Sequence, residues 1–191
     1  MKSYRLLTHH PTAPSSLWRE LRDELPPPLG AKPNIYASDL SWEFLAVVLD
    51  RYMAGIGLLV DGGRLGAVLF QFPRYVYPSR RSYGYLEWLA ARLDDVQTAV
   101  EFRQSRWMDD GHRVSTLDFL AANGLAYVSA DEPQGFPISM PRSEALHHGT
   151  RPVRVLMNNC YSDYAVRAAR TLSAQLISHH PVRGTGDAAF Q

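Results

Sequence analysis

Glu101 stands inside an otherwise apolar string, Thr98–Phe102 (TAVEF), and Arg103 follows two residues later. A carboxylate buried without a partner costs several kcal/mol. Two arrangements answer that cost. In one, Glu101 faces the mouth of a site as a general acid/base or a metal ligand. In the other, it forms a structural ion pair with Arg103 or Lys2. Arg103 is correspondingly an anion clamp or simply the partner of Glu101.

In barrels and open α/β sheets, ligands bind at the carboxyl ends of the strands. The residues falling at such ends supply the other candidates. Lys2 lies in the first segment, with Arg5, Thr8, His9 and His10 after it. Gln71, Arg74 and Tyr75 follow LGAVLF, and Arg106 and Trp107 follow Arg103. Asp131 and Glu132 come next, then Asn158 and Asn159. Glu101 and Asp131 are the catalytic candidates. Lys2, Arg5, His9, Gln71, Arg103, Trp107, Asn158 and Asn159 are the ligand-binding ones.

Asp131 and Glu132 could join Glu101 as oxygen ligands for a divalent cation. ADEP is equally a solvated turn. Asn158 and Asn159 are adjacent, so in a strand their side chains point to opposite faces, and one at most faces a given site. Asparagine there also suits a helix-start turn. The arginines Arg5, Arg74, Arg103 and Arg106 suit an anionic, phosphorylated small molecule, because guanidinium binds such groups through two hydrogen bonds.

Other chemistries find less support. His9–His10, His147–His148 and His179–His180 are adjacent pairs, without the i, i+4 spacing of a helical zinc motif. Cys160 has no base near it in sequence and reads as a bystander thiol. G-x-G-x-x-G, G-x-x-x-x-G-K-[ST] and G-x-S-x-G are all missing, which removes the main support for dinucleotide, P-loop and serine-hydrolase readings. The string YVYPSRRSYGY (Tyr75–Tyr85) reads as a basic and aromatic loop. It could grip a phosphate or stack a base. The commoner reading is a solvated turn, and the near-neutral net charge of +1 argues against nucleic acid.

The elements that must position these residues alternate. Leu65–Phe72, Thr98–Phe102, Leu125–Ala130 and Val153–Met157 are short apolar bursts, as expected of strands covered on both faces. Their starts recur at about 30 residues, the size of a strand–helix–strand unit. Ser3–Leu7 is a weaker strand. Helical periodicity fills the gaps: Ser16–Leu25, a long helix starting at Ser41, YLEWLAARL, and a segment with Ser115 as N-cap and Gly124 as C′ residue. A further apolar stripe runs from Ala165 to Leu176. Pro26–Pro33 reads as a proline-rich loop. Alternation of this kind argues α/β with a parallel sheet.

Hydrophobic residues make up 46% of the 191 residues, which excludes wholesale disorder. The length suits one domain, 1–177, followed by a disordered tail at 178–191. No apolar run approaches the roughly 20 residues of a membrane span, and the N-terminus carries no signal-peptide core. A single cysteine fits a reducing compartment. The expectation is a cytoplasmic protein without a membrane partner.

Four strings occur in order: GRLGAVLFQFP (Gly63–Pro73), AVEFRQSRWMDD (Ala99–Asp110), LAYVSADEP (Leu125–Pro133) and VRVLMNNCYSDYAVRAARTL (Val153–Leu172). Together they resemble the YecE-like family, also called domain of unknown function 72. The opening KSYRLLTHH resembles that family's lysine-bearing strand and Thr-His turn, which gives His9 its motif context. The resemblance implies a TIM-type (β/α) barrel without an established activity. It also implies truncation at the N-terminus and an internal deletion, because the two strand–helix units that precede the lysine strand and an Arg-x-His-Gly string find no match in this chain. The expected fold is therefore an incomplete barrel of about five strands, where a complete one has eight. The alternative is an open doubly wound parallel sheet.

Two functions follow. One is a site for an anionic small molecule, with Glu101 as general acid/base. The other is a non-catalytic remnant that self-associates through open strand edges or depends on a partner.

Overall fold

In the computed structural model, residues 1–93, 95–128, 140 and 170 are described. The chain divides into two units, Met1–Ala145 and Leu146–Gln191. The sheet and the helices around it belong to the first. The boundary expected at 177/178 lies outside the described residues, as do Val153–Met157 and the stripe from Ala165 to Leu176 except Arg170.

The segment before Ser41 is built of short turns and short helices. Helix α1 covers Arg19–Asp23 and α2 covers Pro27–Gly30. The helix expected over Ser16–Leu25 is thus shorter, because Leu17 and Trp18 remain extended. Its face is nevertheless the expected one, since Leu17, Leu21 and Leu25 are all buried. The proline-rich loop contains α2, with proline at the first helical positions where no amide donor is needed.

Helix α3 spans Trp42–Asp61. Ser41 caps it, its Oγ accepting the amide of Phe44 at 3.2 Å. Leu45, Val48, Leu49, Tyr52 and Ile56 recur at helical spacing and are buried. Gly63, at φ +62°, turns the chain after the helix, a conformation glycine adopts without steric cost.

Strand β1 (Val68–Phe72) follows, then helix α4 (Arg80–Arg92), strand β2 (Thr98–Phe102), helix α5 (Arg113–Ala122) and strand β3 (Ala126–Tyr127). Among the described residues the strands form one parallel sheet, in the order β1-β2-β3. Val68, Phe70 and Phe72 alternate with Leu69 and Gln71 along β1. All of β2 is buried, so its burst is continuous rather than alternating. The β1–β2 register pairs Phe70 with Val100, Gln71 with Glu101 and Phe72 with Phe102. β2 has the limits expected from sequence. β3 starts one residue later than expected, and Val128 extends its pairing by donating to the carbonyl of Val100 at 2.8 Å.

Three expectations are corrected. Ser3–Leu7 is not a strand. Lys2 makes a single parallel bridge to Leu69, and Arg5–Thr8 coils into a 3₁₀ turn. Leu6 and Leu7 are both fully buried. The 3₁₀ turn carries both into the apolar cluster. Ser115 does not cap α5. It lies within the helix, its hydroxyl donating to the carbonyl of His112 at 2.9 Å, and His112 is the N-cap residue. Gly124 does occupy the turn beyond the helix, at φ +67°. Finally, Tyr75–Tyr85 is only half loop. Ser79 caps α4 by accepting the amide of Ser82 at 3.2 Å, so Arg80, Arg81, Tyr83 and Tyr85 are helical.

The two serines provide a direct check. Ser41→Ala removes a cap and should cost about 1 kcal/mol. Ser115→Ala should change stability by less than about 0.5 kcal/mol. Urea denaturation of both variants against the wild-type chain measures the contrast.

Candidate functional site

Even-numbered positions of β1 and β2, from Val68 to Phe72 and from Thr98 to Phe102, share one pleat of the sheet. The opposite pleat carries the charge. Gln71 and Glu101 are register partners, so their side chains rise side by side near the carboxyl ends of the two strands. The Gln71 amide donates from Nε2 to Glu101 Oε1 at 2.8 Å. Its own Oε1 accepts from Lys2 Nζ at 3.3 Å. Arg103, two residues beyond Glu101, places Nη2 at 2.7 Å from the same Glu101 Oε1. The result is a continuous row, Lys2, Gln71, Glu101, Arg103, with two cations and one carboxylate.

Glu101 is only 3% exposed, so the two donors on Oε1 supply the compensation its burial requires. Both are short enough to count as strong, and the arginine contact is charge-assisted. The sequence left Arg103 and Lys2 as competing partners of Glu101. Arg103 contacts it directly, whereas Lys2 reaches it through the Gln71 amide. Among the described residues no three His, Cys, Asp or Glu side chains come together as a metal-ligand group.

A second cluster surrounds the turn after the 3₁₀ segment. His9 has φ +63°, the single positive φ of a non-glycine residue among those described. Tyr75 donates its hydroxyl to the His9 carbonyl at 2.6 Å. Tyr85 donates to the Leu7 carbonyl at 2.6 Å, and burial pushes its phenol pKa far up. The His9 ring meets Tyr85 edge-on at 4.6 Å. Burial, then the positive fields of Arg81 and His10, lower the His9 pKa to about 4. His10 is lowered too, by burial first and then by Arg5 and Lys2.

This turn forms one wall of a cavity of about 550 Å³. Trp42, at the start of α3, and Tyr36 line it with Tyr75, Tyr77, Arg81 and Tyr85. The loop between β1 and α4 forms the rim and is held from below. Gln104 Nε2 donates to the Arg74 carbonyl, Trp107 Nε1 to the Val76 carbonyl at 2.7 Å, and Ser82 Oγ to the Tyr77 carbonyl at 2.7 Å.

The structure therefore brings together Lys2, Gln71, Glu101 and Arg103. It places His9 in the separate cavity and Arg5 on the exposed side of the 3₁₀ turn. Trp107, grouped with the ligand-binding residues from sequence, is instead a core residue. It is fully buried and stacks on Phe102 with centroids 4.0 Å apart. Asp131, Asn158 and Asn159 lie outside the described residues. Tyr36 and Trp42 were missed, because no local motif marks them. The usable signal was the Ser41 cap, which puts Trp42 in the first turn of α3.

The fold and this site define a parallel α/β protein whose charged side chains gather near the carboxyl ends of adjacent strands. The family described as "Protein of unknown function DUF72" matches residues 1–150, and the chain belongs to that family. The UPF0759 protein YunF of Bacillus subtilis (strain 168) is 30% identical over 87 residues, which are 46% of this chain and 31% of YunF. The crystal structure of a DUF72 family protein from Enterococcus faecalis V583 aligns with a TM-score of 0.50 at 21% identity, over 57% of this chain and 42% of that one. A DUF72 family protein from Thermotoga maritima MSB8 aligns over 51% of this chain and 35% of its own, at 30% identity and a TM-score of 0.44. The chain thus spans less than half the length of each of these relatives.

His9 makes stability pH-dependent. Its folded-state pKa, about 4, lies below the ordinary 6.5, so between these values the unfolded chain binds more protons and stability falls as pH falls. Below pH 4 this contribution is lost in full. The span corresponds to a contribution on the order of 3 kcal/mol above pH 6.5. His9→Asn keeps a side chain that tolerates positive φ but cannot titrate. Its unfolding free energy should decline less than that of wild type between pH 7 and pH 4, as read by urea titrations at each pH.

Proposed function

We propose that the row Lys2, Gln71, Glu101 and Arg103 binds an anionic, phosphorylated small molecule at the carboxyl ends of the strands. The observation that carries this reading is the buried Glu101 carboxylate, held at the end of β2 by Gln71 and Arg103. The Lys2 ammonium and the Arg103 guanidinium are both groups that bind anions, the guanidinium through two parallel hydrogen bonds. Lys2 is exposed and supplies an ammonium on a long stem. Arg103 supplies a guanidinium oriented by Glu101. Glu101, in turn, is the group placed to accept a proton from a bound hydroxyl, the role of general base.

The same reading keeps Asp131 as a second catalytic candidate and Arg5, Asn158 and Asn159 as ligand-binding candidates, on their places in the sequence. It takes the parallel sheet as part of an incomplete TIM-type barrel, in which strand ends converge on one face. The support for this part is the family membership and the parallel order of β1, β2 and β3.

Glu101→Gln keeps the shape and removes the charge. It should weaken binding of phosphorylated metabolites that present a hydroxyl to Glu101 at least about tenfold, the worth of that one charge-assisted hydrogen bond, while the far-ultraviolet circular dichroism stays unchanged. A calorimetric screen of wild type and variant provides the comparison. Equal affinities in the two proteins would remove Glu101 from the site.

A further inference from the structure

The exposed aromatic side chains described on this domain gather in one place. Tyr36, Trp42, Tyr75 and Tyr77 are the exposed aromatic residues among those described, each between 38% and 51% exposed. All four line the cavity at the His9 turn. A protein surface in water ordinarily keeps such rings covered, and a cluster of them in a concavity marks a binding site. The cavity holds about 550 Å³, within the range of about 300–1,000 Å³ usual for small-molecule sites.

The charged side chain of its lining is positive. Arg81 belongs to the wall, and its field reaches His9. Arg81 also lies in the first turn of α4, where the amides carry partial positive charge. Among the described residues, no Asp or Glu lines the cavity. The rings offer flat faces for stacking, and the guanidinium offers two parallel donors to an oxyanion.

We propose that this cavity binds a planar aromatic ring carrying one anionic group, the ring lying between Trp42, Tyr75 and Tyr77 and the anion on Arg81. Nucleoside monophosphates are the class that fits. The site shares no residue with the Lys2, Gln71, Glu101 and Arg103 row, so it stands or falls apart from it. It also gives a role to the basic and aromatic string Tyr75–Tyr85. Tyr75, Tyr77, Arg81 and Tyr85 enter the cavity wall, while Tyr83 turns away to pack edge-on against Trp107 and Phe119.

The test uses the full chain and four probes: adenosine monophosphate, adenosine, inorganic phosphate and a ten-nucleotide single-stranded DNA. Binding is followed by calorimetry. The monophosphate should bind with a Kd below about 1 mM, more tightly than adenosine or phosphate alone. Arg81→Gln should weaken the monophosphate about tenfold or more and adenosine by less than about threefold. Trp42→Ala should weaken both. Tyr77→Ala is a second ring deletion, in case Trp42→Ala disturbs the contacts of Trp42 with Tyr85 and Trp88. Val114→Ala, an exposed change on α5 outside both sites, should leave monophosphate binding unchanged. The proposal is overturned if the monophosphate fails to bind at that concentration, if phosphate alone binds equally well, or if Arg81→Gln changes nothing. Tighter binding of the oligonucleotide than of the monophosphate would likewise overturn it, in favour of a nucleic-acid surface.

Discussion

A carboxylate almost sealed from water dictates the geometry around it. Glu101 cannot be buried in β2 unless donors meet it, and those donors come from the neighbouring strand and from two residues along its own. This ties the pairing of β1 and β2 to a single alignment. A slip of one residue would turn Gln71 to the other face and leave the carboxylate without its amide partner. The same slip would drive Phe70 and Phe72 out of the apolar cluster they share with Leu86 and Leu89. Polar and apolar requirements thus select the same register, the agreement between levels that a foldable sequence needs.

The other face of the sheet obeys a different constraint. Phe72, Phe102 and Trp107 stack in sequence, and Tyr85 closes on Phe72 edge-on. This aromatic layer underlies both the His9 turn and the start of α4. It also explains why His9 remains neutral at ordinary pH. The imidazole is packed among rings and faces a guanidinium, so a proton would be poorly solvated and repelled.

Much of the sheet was legible in the residues, and for a physical reason. Parallel strands covered on both sides read as unbroken apolar runs, so Thr98–Phe102 stood out with its true limits. A lone Glu within such a run signals itself, and Arg103 two positions on was its natural partner. Less legible was anything assembled across distant segments. Trp42, Tyr75 and Arg81 converge only after α3 and α4 have packed, and no spacing in the chain announces that. Trp107 misled because its strand-end position matched a site residue, while its burial depends on a stack with Phe102 that sequence cannot display. Leu6 and Leu7 misled for a related reason. An apolar pair reads as strand, but this pair is buried from within a 3₁₀ turn.

The loop between β1 and α4 has a consequence for how fast and how tightly the cavity beside it can be filled. Three of its carbonyls, on Arg74, Val76 and Tyr77, are already held by side chains rooted elsewhere in the domain. A segment anchored in this way has little conformational freedom left to surrender. A molecule bound there as proposed would meet a rim that is already held, so no ordering of this loop would be subtracted from the interaction. Its encounter with the site would then need no closure of this loop.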